Sequence, residues 1–125
     1  SAKETKAPDV ILSIPDKVQG MAINDDGNVF FSTSYGRRND SRLYVFEPYT
    51  EWDKDTVSVF DTDVPLYIAK KKNRITRFKM PTLMEGLDYN NGKLYVIFES
   101  GANEYSDAKE INKDIWEMDI DEIIC

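Results

Sequence analysis

Histidine is absent from the 125 residues. Its absence removes Ser-His and Cys-His hydrolysis, zinc sites of ordinary composition and most proton shuttling near neutral pH. Cysteine is almost as scarce. Cys125 stands alone at the C-terminal end, so no internal disulfide can form, and as a nucleophile it would lack a histidine to activate it. No apolar run approaches the roughly twenty residues that span a bilayer, and the opening "SAKETKAPD" is polar, without the apolar centre of a signal peptide. Basic residues are outnumbered: 16 Lys and Arg face 23 Asp and Glu, a net charge of −7. Nucleic acid and anionic membrane surfaces both favour a basic face, so no nucleic-acid partner and no membrane insertion are expected. A cation, a neutral small molecule or a protein ligand suits this charge better.

Material for a core is nonetheless present. Hydrophobic residues make up 41% of the chain, and seven Tyr, six Phe and two Trp favour strands over helices. At this length one domain is the natural count.

The strongest pattern is internal. "QGMAINDDGNVFFSTSYG" (Gln19 to Gly36) and "EGLDYNNGKLYVIFESG" (Glu85 to Gly101) share their glycine rhythm, with Gly20 and Gly86 separated by 66 residues. Asp26-Gly27 matches Asn91-Gly92, and Gly36 matches Gly101. Asx-Gly between apolar runs marks a hairpin whose turn needs positive φ. Gly20 and Gly86, inside the first strand of each hairpin, permit close backbone approach at a crowded spot. "SRLYVFE" and "KDIWEMD" supply a third strand to each copy.

Between the copies, "TVSVFD", "PLYIAKK" and "RITRFKM" read as strands, the last two forming a hairpin across Lys72-Asn73. "DVILSIPD" parallels "RITRFKMP", both ending in proline ahead of a hairpin, which predicts an outer strand for the unit that follows each. Helix is expected only at Ser106 to Ile111 and Asp119 to Cys125. The fold class is therefore all-β, with two propeller-like blades of about four antiparallel strands each in an incomplete propeller. Residues 9–55 carry the core of the first blade, and residues 56–125 carry a connecting hairpin and the core of the second. The alternative is a single twisted antiparallel sheet or sandwich.

These segments resemble blades of the six-bladed propeller superfamily of gluconolactonases, strictosidine-synthase-like proteins and NHL-repeat proteins. The stretch "SYGRRNDSRLYVF … MPTLMEGL … LYVIFESGANEY" also resembles the C-terminal half of bacterial propeller-like proteins, many of them exported, which favours an extracellular setting. The likeness covers about Ile14 to Asp119. A closed member of that superfamily has six blades, so the resemblance implies completion by the missing blades of a longer chain or by a homo-oligomer. It also implies a tunnel mouth at the polar residue before each blade-opening glycine, here Gln19 and Glu85. The ligand face expected there comprises Gln19, Ser34, Arg37, Glu85 and Glu99. Glu85 and Glu99 would supply oxygen ligands to Ca²⁺, although a full site takes six to eight oxygens. Two functions follow. One is a non-catalytic binding or scaffold module. The alternative is a fragment of a Ca²⁺-dependent lactonase- or esterase-like hydrolase.

Several charged stretches are read as ordinary surface. "SYGRRNDS" could hold an anion but also suits a polar turn. Lys70-Lys71-Lys72 with Arg74 and Arg77 reads as a solvated turn and strand face.

Overall fold

The computed structural model describes residues 5–99, 108 and 115–124. Its strands are β1 (Ile11–Ser13), β2 (Val18–Ile23), β3 (Asn28–Thr33), β4 (Ser41–Pro48), β5 (Asp53–Val59), β6 (Thr62–Ile68), β7 (Arg74–Met80), β8 (Met84–Asn90), β9 (Lys93–Phe98) and β10 (Trp116–Asp119). A short helix, α1 (Ile120–Ile124), follows where helix is expected. The other helical expectation, Ser106 to Ile111, lies outside the described residues apart from a bend at Ala108. The strands form three sheets, ordered β1-β6-β5, β2-β3-β4-β7 and β10-β9-β8. All pairings are antiparallel except β1 with β6.

The four-stranded sheet is the middle layer, and two separate cores lie against its faces. Val29, Phe31 and Phe46 pack with Trp52 against Leu12 and Tyr67 of the β1-β6-β5 sheet. Phe30, Leu43, Val45 and Met80 pack against Met84, Leu94, Val96 and Phe98 of the third sheet, with Ile120 and Ile123 of α1 closing the edge. This explains why "NVFFST" is apolar without alternation: β3 is buried along its whole length, between two layers.

The repeat extends to backbone conformation. Lys17 and Leu83, also 66 residues apart, both take positive φ in the proline turns entering β2 and β8. Register shifts follow in both strands, between Val18 and Gly20 and between Met84 and Leu87. The two hairpins differ in kind. Asn91 and Gly92 both have positive φ, as a two-residue type I′ loop requires. In the first hairpin only Gly27 does, after a turn closed by Gly27 N–H donating to Asn24 C=O at 3.1 Å. The buried Asn24 side chain sets that longer loop, its Oδ1 accepting from the backbone N–H of Asn28 at 2.8 Å and of Asp26 at 3.1 Å.

Two strand assignments need correction. "RITRFKM" does not pair with "PLYIAKK"; β7 lies beside β4, with Tyr44 opposite Arg77, and completes the middle sheet. Nor does "DVILSIPD" serve the sheet after it, because β1 runs parallel to β6 at the edge of the first sheet. Each proline-ended strand thus belongs to the sheet before the proline, and the turn hands the chain to the next layer. The hairpin partner of β6 is β5, through a turn at Phe60-Asp61. This turn carries no Asx-Gly signal. Phe60 and Asp61 take φ of 50° and 61°, and Phe60 is 63% exposed. Left-handed backbone disfavours Phe60 in particular, and glycine suits the second position better than aspartate, so Phe60→Asn with Asp61→Gly is expected to stabilise the fold by about 1 kcal/mol. Urea denaturation measures this, and an unchanged midpoint would count against strain at the tip.

Candidate functional site

The five residues expected at the ligand face sit at one end of the inner strands. Gln19, on β2, is exposed beside the register shift, and Ser34 follows β3, whose Thr33 pairs with Val18. Glu85 and Glu99 hold the matching places on the third sheet, beside the Met84–Phe98 pair. Arg37 is exposed in the β3–β4 loop, where Asn39 ties the turn by donating its side-chain amide to Tyr35 C=O at 2.8 Å. The backbones of the two glutamates are engaged. Glu85 C=O accepts from the Ser32 hydroxyl, and Glu99 N–H donates to Leu83 C=O at 2.8 Å. Among the described residues no three of Asp, Glu and Cys gather closely enough to hold a metal ion.

A concavity lies nearby, on the face of β4 and β7 beside the first sheet. It has two lobes meeting at Tyr35 and Tyr44, whose hydroxyls are 3.3 Å apart. One lobe, of about 230 Å³, is lined by Pro15, Phe46, Ala69, Lys71 and Arg74 among others. The other, of about 430 Å³, is lined by Tyr35, Asn39, Asp40, Arg42, Tyr44 and Arg77. The Arg74 guanidinium lies 5.4 Å from the centre of the Tyr44 ring, a cation–π distance. Arg42 donates from Nη1 to Asp40 C=O at 3.3 Å and to Ser41 C=O at 3.2 Å. Hydrogen bonding to Thr33 and then to Tyr44, with help from Arg42 and Lys17, holds the Tyr35 hydroxyl below the ordinary phenol range. Burial, then its bond to Tyr35, holds Tyr44 above that range.

Exposed ion pairs hold the segment that carries Lys70, at the rim of the smaller lobe. Asp53 accepts from Lys70 at 2.7 Å and Lys72 at 2.9 Å, fixing the 3₁₀ turn Lys71–Asn73 that leads into β7. These two hydrogen bonds hold its carboxyl down at about 2. Because the folded value lies below the unfolded 3.8, the contribution is present above about pH 4 and is lost as pH falls towards 2. Asp53→Asn is therefore expected to flatten the acid-unfolding curve in that window, and the difference should shrink in high salt because the pairs are exposed. Parallel curves for the two proteins would rule this out.

The ligand face and the cleft share a neighbourhood but not residues, Ser34 adjoining Tyr35 in the chain. The sequence pattern puts Tyr35, Asn39 and Asp40 in a polar turn and the basic run from Lys70 to Arg77 on a separate solvated turn and strand face. It does not join them, because it pairs β7 with β6 and the structure pairs β7 with β4. Alternation marks a strand with Ile75, Arg77 and Lys79 on its exposed face, and the register shift between Val45 and Phe46 brings Arg74 to the side of Arg77. No protein-family model, no curated protein and no solved structure matches this chain.

Proposed function

We propose that this chain is a non-catalytic binding or scaffold module of propeller-type sheets, completed by further sheets of a longer chain or by copies of itself. The supporting observation is the unequal fate of two equivalent faces. Gly20 opens directly onto the backbone of β8, whereas Gly86, its counterpart in the repeat, opens onto Ile97 of its own sheet. Ile97 and Ile115 occupy the third sheet where Ser32 and Leu43, both buried, occupy the middle one. They are 50% and 65% exposed. A sheet face that packs a neighbour in one copy is open in the next, and open apolar positions favour association. Lys93, Asp88 and Glu117 around them keep the face from closing on arbitrary partners.

Sedimentation velocity over a range of concentrations tests this. Self-association is expected, and Ile97→Asp should abolish it while leaving the melting temperature within a few degrees. A wild-type chain that stays monomeric at every concentration would remove completion by copies and leave only completion by a longer chain. Neither Ca²⁺ nor EDTA should move the melting temperature. A rise with Ca²⁺ would instead favour the hydrolase.

A further inference from the structure

We propose that the cleft at the Tyr35–Tyr44 pair binds a small ligand through an oxyanion group, a carboxylate or a phosphate. The inference deepens the binding-module reading by naming a ligand class, and it rests on the geometry of the middle sheet rather than on how the sheets are completed.

Three observations carry it. The first is charge placement. A chain with a net charge of −7 offers anions no general attraction. Yet the two lobes are lined by Arg42, Lys70, Lys71, Arg74 and Arg77 against only Asp16 and Asp40. Asp40 is engaged by Lys79 at 3.2 Å, and Lys70 by Asp53. Among the described residues neither Arg74 nor Arg77 is paired with a carboxylate. Guanidinium groups gathered without counter-charges repel one another, and a bound oxyanion relieves that repulsion while accepting bidentate hydrogen bonds.

The second observation is the tyrosine pair. The two hydroxyls lie 3.3 Å apart at the junction of the lobes, where one donates to the other and both stand within reach of a ligand oxygen. Tyr35 and Tyr44 line both lobes, so the pair adds hydroxyl groups beside the guanidinium groups. The third is rigidity. Tyr44 and Arg77 are cross-strand partners, and Arg74 stacks over the same ring, so both guanidinium groups are held on a strand rather than on a loop. The smaller lobe, walled by Phe46, Pro15 and Ala69, gives an apolar seat to the rest of such a ligand.

Amide NMR titration of the full chain tests the proposal, using inorganic phosphate, glucose 6-phosphate and glucuronate, with glucose as the neutral control. Saturable shifts confined to Tyr35, Asn39, Arg42, Tyr44, Arg74 and Arg77 are expected with at least one anion and not with glucose. Binding by phosphate and glucose 6-phosphate alone would identify a phosphate site, and binding by glucuronate alone a carboxylate site. Arg77→Ala and Arg74→Ala should each weaken binding about tenfold, with Arg77→Lys retaining part of it. Raising the salt concentration should weaken it further. Arg77 is exposed, so its removal leaves the fold intact, and the amide spectrum checks this directly. Glucose binding as well as its phosphate, shifts scattered over the surface, or arginine variants binding like wild type would each overturn the site. Arg77-dependent turnover of an ester would leave the site standing and overturn only the non-catalytic reading.

Discussion

Gly20→Ala is expected to destabilise this protein by about 3 kcal/mol, the upper range for overpacking a tight interior. Gly86→Ala, at the matching position of the repeat, should leave stability unchanged or raise it by about 0.5 kcal/mol through the unfolded chain. A methyl group on Gly20 would stand 2.2 Å from Glu85 C=O, 2.9 Å from the Ser32 hydroxyl and 3.1 Å from Leu87 N–H. Two of those three atoms are backbone and cannot swing aside. Relief requires β2 and β8 to separate, breaking the bond from Ser32 to Glu85 C=O. At Gly86 the nearest atom would be Ile97 Cβ at 3.5 Å, an ordinary contact. Guanidinium denaturation of the three proteins measures the contrast. Equal effects at the two glycines would mean that the inner strands do not meet as described.

Phe31→Ala is expected to cost about 4 kcal/mol, in the range for emptying a large aromatic site. Phe31 is fully buried, with its ring centre 5.2 Å from that of Phe46 and 6.4 Å from that of Trp52. It is the centre of the core between the first and middle sheets, so the emission of Trp52 should shift with its loss. The milder Phe31→Leu and Leu94→Val, about 1 kcal/mol each, test the layering itself. Leu94 belongs to the other core, across the middle sheet. Substitutions without shared contacts add to within about 0.5 kcal/mol. A coupling well above that would show that the two cores act as one.

Much of this architecture is local and was legible. The apolar runs became strands, and Asn91-Gly92 became a type I′ loop because asparagine and glycine tolerate left-handed backbone. The glycine inside β2 was readable as a place of close approach, because a strand residue without a side chain suits few other purposes. The turn at Phe60-Asp61 was not legible. Phe60 disfavours its own conformation, and the flanking ladder from Val59 to Asp53 imposes it.

Partnership was decided elsewhere. Alternation along β7 announces a strand with Arg77 on one face, yet hydrogen-bond ladders are generic and any strand edge would accept it. Only the burial of Phe78 and Met80 with Leu43 and Val45 selects β4 as its neighbour. That choice places Arg74 and Arg77 beside Tyr44 and creates the cleft. Turns and strands answer to neighbours in the chain, whereas the order of strands, and with it the meeting of the basic residues, answers to which apolar faces can be buried together.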